Sequence, residues 1–288
     1  MKAGTKRVIF LSIFCLLILA LITLYLRRET QTDNLQVIFI DVGQGDATFI
    51  ESPTGTQVLI DGGRDASVLR ELSKIMGYFD KDIDLIVATH PDMDHIAGLI
   101  DVLNRYTVHT ILMTENESDT PAFASFLKAV REEHATIVYA RRGQVFDIGS
   151  GAQGSTTLRI LFPDRNPSGL ESNMASIVAQ LRYGESEFMF TGDSPKAIEE
   201  YLVSLSDSRL QSDVLKAGHH GSRTSSAEVF VEAVSPTYAI FSAGKDNSYG
   251  HPHKEVVNLF VQHHIETKNT ADQGSIFMES DGKHIWFK

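Results

Sequence analysis

An apolar, β-branched-rich run, Ile83 to Ala88, ends abruptly in Thr89-His90-Pro91-Asp92-Met93-Asp94-His95, which packs four metal-capable side chains into six residues. A run of that kind reads as a buried strand. Beyond it, Ile96 to Leu103 carries apolar residues at helical spacing, with Gly98 open to a close backbone approach. The four polar side chains are therefore expected on a strand-to-helix loop held between two rigid elements. Imidazole nitrogens and carboxylate oxygens from so short a segment can face two adjacent cations, His90 and Asp92 on one and Asp94 and His95 on the other. The competing reading is a polar loop whose aspartates cap the following helix.

Six more segments carry the same kind of chemistry in order along the chain. They are Ile40 to Ala47 (IDVGQGDA), Leu59 to Gly63 (LIDGG), Asn173 to Ser176 (NMAS), Thr191 to Asp193 (TGD), Lys216 to Ser222 (KAGHHGS) and Ser248 to Pro252 (SYGHP). Together with the first motif they resemble the metallo-β-lactamase superfamily, with Asp92 standing where the second His of the HxHxDH signature usually stands. The HxDxDH variant is similar to the hydrolase domain of ComEC-type DNA-uptake proteins, and the resemblance spans nearly everything from Leu35 to Lys288. It implies an α/β (α+β) fold, a four-layer αββα sandwich, holding two divalent metal ions, Zn or Mn.

The resemblance further implies hydrolysis of a phosphodiester, with DNA as the leading substrate. Two metal ions about 3.5 to 4 Å apart lower the pKa of water and clamp the attacking and leaving oxygens. His90, Asp92, Asp94, His95, Asp193, His219 and His220 are the expected metal ligands, and Asp94, His219 and His220 are also expected to act in catalysis. By resemblance Asp193 bridges both cations; its plainer reading is an N-cap for a helix opening near Pro195. One of His219 and His220 is expected to ligate, while the other protonates a leaving oxygen or contacts a phosphate. The residues alone leave that choice open.

By resemblance Asp61, in LIDGG, is the aspartate expected to orient the ligand loop from behind. Asp41, Gln44, Asp46, Asn173, Ser176, Ser222 and His251 are candidates for supporting or substrate-facing roles. Gly43-Gln44-Gly45-Asp46 lacks a GxGxxG pattern or a Walker lysine and reads as a tight turn, with substrate contact by Gln44 or Asp46 as the sharper alternative. Asn173 and Ser176 occupy the region where many relatives place another His, which favours harder cations such as Mn²⁺ while keeping Zn²⁺. No cysteine stands near any motif, which disfavours lactam hydrolysis.

A formal net charge of -11 opposes nonspecific attraction to a polyanion, although bound cations offset it at the site. Arg141, Arg142, Lys216, Arg223 and Lys245 are the basic residues near the motifs, each read singly as solvated surface. Val8 to Leu26 is uncharged and long enough as a helix to cross a hydrocarbon core of about 30 Å. With no small-residue cleavage site it reads as an uncleaved anchor. The expected organisation is thus a tail over 1–7, a transmembrane helix over 8–26, a linker over 27–34 and a hydrolase domain over 35–288. The slight basic excess of Lys2, Lys6 and Arg7 places that domain outside the cytoplasm. The single cysteine, Cys15, falls in the apolar run and reads as a packed thiol.

Elsewhere the pattern predicts thirteen strands and six helices, with Gly149 to Thr157 as the most flexible internal loop. The expected partners are a phosphodiester, the membrane and a separate transport channel, since no multi-helix channel accompanies the motifs. Two other functions stay open: cleavage of another envelope phosphodiester, such as a teichoic-acid-like or phosphorylcholine ester, and an inactive membrane-tethered interaction module.

Overall fold

In this computed structural model the described residues are 7–19, 34–205 and 210–288. They fall into two units, 1–33 and 34–288. In the first, residues 7–19 form helix α1, whose side chains, Cys15 among them, are exposed all round rather than packed. Among the described residues no helix is long and apolar enough to cross a membrane. The remainder of the expected anchor, from residue 20 to Leu26, lies outside the described residues.

The second unit contains two sheets. One runs in the order β15 (Ile285–Phe287), β14 (Ile276–Ser280), β1 (Leu35–Phe39), β2 (Thr48–Glu51), β3 (Gln57–Ile60), β4 (Asp82–Val87), β5 (Thr107–Met113) and β6 (Thr136–Tyr139). The other runs β13 (Glu266–Asn269), β12 (Tyr238–Phe241), β11 (Val214–Lys216), β10 (Ser186–Phe190), β9 (Val178–Tyr183), β8 (Gly154–Phe162) and β7 (Val145–Gly151). Helices α2 (Ser67–Ile75), α3 (Met93–Leu103) and α4 (Pro121–Glu133) accompany the first sheet. Helices α5 (Lys196–Ser204), α6 (Glu228–Val234), α7 (Lys254–Gln262) and the short α8 (Thr270–Gln273) accompany the second.

Strand alternation explains the layering. Along β1, Ile38 joins a core with the buried faces of α2, α3 and α4, whereas Val37 and Phe39 point into a core shared by both sheets. Along β10 and β11, Phe188, Phe190 and Val214 enter that shared core, while Met189 and Leu215 meet α5, α6 and α7 in a third. Both sheets are thus buried on two faces, which is why their central strands read as nearly continuous apolar runs. Helix, sheet, sheet and helix stack as expected. Each large side chain fully buried in these cores stabilises the fold by about 1.5–3 kcal/mol.

Three details differ from the sequence reading. Helix α3 starts at Met93, so Asp94 and His95 belong to its first turn rather than to a loop, with Asp92 in extended conformation at the N-cap. The glycine-rich stretch read as flexible is the β7–β8 hairpin, in which Gly151 pairs with Gly154. Polar β13 pairs in parallel with β12, an edge strand with no apolar alternation to announce it.

Parallel pairing is what positions the site. Strands β3 and β4 run parallel in one sheet, and β10, β11 and β12 run parallel in the other. Asp61 follows β3, His90 follows β4, Asp193 follows β10, His219 and His220 follow β11, and the segment from Ala243 to Pro252 follows β12. The carboxyl ends of parallel strands are where α/β folds leave a crevice for ligands.

Candidate metal centre

Four imidazoles converge on the carboxylate of Asp193. His95 Nε2 lies 3.3 Å from its Oδ1, while His219 Nε2 and His220 Nε2 lie 3.5 Å and His90 Nε2 3.9 Å from its Oδ2. Asp94 Oδ2 is 3.4 Å from His220 Nε2, and Asp92 Oδ2 is 3.7 Å from His90 Nε2. All seven sequence-predicted ligands therefore meet, although they come from two sheets.

The far side of each buried ring is fixed. His95 Nδ1 donates to Asp61 Oδ2 at 2.8 Å. Thr89 Oγ1 donates to Asp61 Oδ2, so it is placed to accept from His90 Nδ1 at 3.0 Å. His220 Nδ1 donates to Asp46 Oδ1 and to Ser242 O, each at 3.0 Å. With Nδ1 occupied, Nε2 of each ring is the atom presented inward. The Nε2 atoms of His90, His95 and His220, and Oδ1 of Asp193, are buried without a hydrogen-bond partner. Buried polar atoms so arranged demand a counterpart, and an N/O donor set of this kind fits a divalent cation.

Electrostatics point the same way. Burial works against a charge on His95 and His220, yet Asp193 with Asp61, and Asp193 with Asp46, outweigh it and raise both pKa values, His220's to about 9. Burial, aided by His95, instead pushes His90 down to about 4. Asp193 is held well below the usual carboxylate range despite burial, chiefly by His220 and His95. Positive charge is stabilised here, and a cation entering would replace protons on the inward nitrogens.

Asp46 belongs to a buried group with His95, Asp193 and His220 whose ligand atoms lie within 4.8 Å of one another. Both of its oxygens are already used: Oδ1 holds His220, and Oδ2 takes Lys216 Nζ at 2.6 Å. It therefore orients a ligand, as Asp61 does. Lys216 is the clearest correction to the sequence reading, since it is buried in an ion pair rather than solvated. Alternation supplied a signal: Val214, two residues earlier on β11, points between the sheets. Of the other basic residues, Arg141 pairs with Glu115, Arg223 is an exposed partner of Glu255, and Lys245 is exposed.

The remaining candidates divide. Ser176 Oγ accepts from the Asp193 backbone N–H, and Asn173 opens a short 3-10 turn with its Oδ1 buried and unpartnered. Ser222 Oγ is bonded to Thr224 Oγ1, which meets His219 Nδ1 at 3.1 Å. Asp41 Oδ1 accepts from the Gly43 N–H within its own turn, and Gln44 Oε1 accepts from the Gly244 N–H. Those bonds fix backbone rather than reach the imidazoles. The His251 ring stands 5.6 Å from that of His219. Ser172, absent from the sequence reading, donates to Asp92 Oδ1 at 2.5 Å.

Neither capping alternative describes the site. Asp92 makes no side-chain cap bond to α3, and the cap position of α5 is Pro195, not Asp193. His219 and His220 both adopt positive φ, 49° and 55°, as does Asp61 at 58°. Consecutive left-handed non-glycine residues cost of order 1–3 kcal/mol each, and such strain clusters at functional sites. Glu199 on α5 helps to hold this turn's surroundings by accepting from the N–H groups of Ser226 and Ala227 at 3.0 and 2.6 Å. Gly98, expected to allow close approach, does so: a Cβ there would collide with Gly62 O.

Residues 40–245 match the metallo-beta-lactamase superfamily. The chain belongs to that superfamily. Its members are generally metal-dependent hydrolases that use divalent ions. The chain is 32% identical over 258 residues to ComE operon protein 3 of Bacillus subtilis, covering 84% of this chain and 32% of that protein. It is 26% identical over 265 residues to Recombination protein 2 of Haemophilus influenzae, covering 90% and 31%. A shorter match, 40% identical over 107 residues, is to Competence protein ComA of Neisseria gonorrhoeae, covering 37% and 16%. These relatives bear out the ComEC-type resemblance, and the chain spans about a third or less of their length. Among solved structures, YhfI from Bacillus subtilis is similar with a TM-score of 0.55 at 14% identity, covering 86% of this chain and 100% of that one. CmlA, a diiron β-hydroxylase from Streptomyces venezuelae, reaches 0.53 at 14% identity, covering 82% and 52%. At such identities the likeness speaks for the fold alone.

The two adjacent histidines differ in burial and support. His220 is buried and held by Asp46 and Ser242, whereas the His219 side chain is 25% exposed. His220→Ala is expected to lose bound metal, while His219→Ala keeps metal and loses rate by roughly 10²–10⁴-fold. Metal content by mass spectrometry beside turnover checks this, and equal metal retention by both variants would refute the assignment.

Proposed function

We propose that this chain is a membrane-anchored hydrolase that cleaves phosphodiester bonds of nucleic acid, DNA in the first instance, with two divalent ions, Zn or Mn. The observation that carries the reading is the convergence of unpartnered His90, His95 and His220 nitrogens on the buried Asp193 carboxylate. His90 and Asp92 would hold one cation, Asp94, His95 and His220 the other, with Asp193 between them. Bound there, the ions would supply Lewis-acid stabilisation of phosphoryl oxygens and an acidified water.

The chain's own groups supply the rest. Asp61 and Asp46 hold His95 and His220 in the tautomer that faces inward, and Ser172 steadies Asp92. His219, partly exposed beside Asp193, is placed to meet a phosphate oxygen or protonate a leaving oxygen. Few basic side chains surround the site, so charge neutralisation falls to the metals rather than to a basic groove. The likeness to competence proteins favours DNA among nucleic acids, and a separate transport channel is the partner proposed with that reading. The anchor reading rests on the sequence, where Val8 to Leu26 is uncharged and long enough as a helix to cross a hydrocarbon core of about 30 Å; an extracytoplasmic catalytic domain is proposed from the basic residues before that run.

The test combines metal analysis of the natively purified protein with turnover of single-stranded DNA, RNA and a generic phosphodiester over Mn²⁺ and Zn²⁺ concentrations. Close to two equivalents of metal and cleavage of DNA are expected. A natively metal-free protein would sink the enzyme reading, and metal without turnover of any ester would leave a binding module.

A further inference from the structure

The segment after β12 brings an aromatic ledge to the metal centre. Strand β12 lies beside β11, so its following loop emerges next to His219 and His220. The His251 ring sits 5.6 Å from that of His219 and 6.1 Å from that of His220. Tyr249 stacks on His251 at 5.6 Å with an interplanar angle of 21°. The Tyr249 side is open, since that residue is 61% exposed. A large aromatic left in water beside a reaction centre contributes little to the core and offers a flat face to a ligand.

The ledge is preorganised. Asn247 Nδ2 donates to Gly244 O at 2.9 Å and His251 O at 2.6 Å, while its Oδ1 accepts from the N–H groups of Tyr249 and His251 at 3.2 and 3.0 Å. One side chain thus closes the loop with four bonds. At its base a Cβ on Gly244 would stand 2.8 Å from Gln44 N, so the loop rests directly on the turn that carries Asp46. Ordering is therefore present before any ligand arrives.

We infer that Tyr249, backed by His251, is the seat on which one base of a single-stranded nucleic acid stacks while its phosphodiester lies at the Asp193 centre. The inference rests on the phosphodiesterase reading and names how that site would grip its substrate. With a net charge of -11, long-range attraction cannot carry recognition of a polyanion. Stacking can, because it is worth about 1–3 kcal/mol per base and is indifferent to charge. A duplex keeps its bases stacked internally, so the ledge suits a single strand or a frayed end. A quaternary ammonium, the other ligand that aromatic faces attract, wants a desolvated cage of several rings. Here the other rings, His219, His220 and His253, gather around His251 on its inner side, while Tyr249 is 61% exposed rather than enclosed, and the exposed cation of Lys245 is on the same loop.

The experiment compares KM for hydrolysis of a twelve-residue thymidine oligomer with that of an oligomer of the same backbone lacking bases, using the full-length protein in detergent. Wild type is expected to favour the thymidine oligomer by roughly 5- to 150-fold. Tyr249→Ala should bring that ratio to near one, whereas Tyr249→Phe, which keeps the ring, should preserve it. A general loss of structure would move both substrates together and leave the ratio alone. A wild-type ratio near one, or an unchanged ratio in Tyr249→Ala, overturns the stacking seat while cleavage itself upholds the phosphodiesterase reading. Failure to cleave either oligomer overturns both. Inhibition by phosphorylcholine that depends on Tyr249, without any preference for bases, would assign the ledge to an ammonium ligand instead.

Discussion

Asp193→Ala is expected to strip the protein of its bound metal and to lower hydrolysis by at least about a thousandfold, with the fold retained. The carboxylate is the one group that all four imidazoles face, at 3.3 to 3.9 Å. Alanine would leave rings that still point inward but share no anion. Charge on His95 and His220 is sustained largely by Asp193, so removing it lets both rings become neutral instead of stranding buried cations. That relief is why folding should survive. The side chain also takes no part in the three apolar cores. Metal content by mass spectrometry, turnover, and far-ultraviolet circular dichroism together check the expectation. Wild-type turnover in this variant would refute Asp193 as the shared ligand.

Lys216→Met is expected to cost up to about 3–5 kcal/mol of stability, because the buried Asp46 carboxylate would lose its lysine and keep only the His220 contact. Lys216 is 3% and Asp46 5% exposed, and their contact is 2.6 Å. The lysine also donates to Ala217 O at 3.0 Å, just before the strained histidine turn. Adding Asp46→Asn removes the stranded charge, so most of the stability should return in the double variant. Metal affinity should not return with it. His220 Nδ1 would have lost the carboxylate that orients the ring, a loss worth about 10- to 100-fold in affinity. Urea unfolding midpoints measured beside metal titrations separate the two effects. If Lys216→Met unfolds at the wild-type urea concentration, the ion pair is not structural.

Much of this architecture is written locally. Each ligand-bearing segment directly follows an apolar strand, so period-two and helical patterning marked where chemistry begins: after Val87, after Phe190 and after Lys216. Those signals are strong because central strands buried on both faces must be apolar. They fade at the edges. Strand β13, ETKN, is partly exposed, and the β7–β8 hairpin carries glycines that local propensity assigns to a loop. Pairing with β12 and β8 decided both, since strand formation depends on neighbours more than on intrinsic preference. Helix α3 starts earlier than the pattern predicts for a related reason: polar Asp94 and His95 look like loop, yet their side chains are bonded elsewhere and leave the backbone free to be helical.

By itself the sequence determined the residue types, their order and the strand ends on which they sit; the pool of metal ligands and the αββα layering came from the resemblance those motifs carry, since periodicity alone does not fix how two sheets stack. Only the tertiary structure decided which group does what. That His220 rather than His219 is the buried, oriented ring depends on Asp46, 174 positions away, and the burial of Lys216 depends on the same carboxylate, 170 positions away. The stack of Tyr249 on His251 likewise becomes meaningful only once β12 is seen to lie beside β11. The physical reason is range. Periodicity and capping are settled within a turn or a strand, whereas the partners of a buried charge are settled by the register in which two sheets pack face to face, and that register is a property of the whole core.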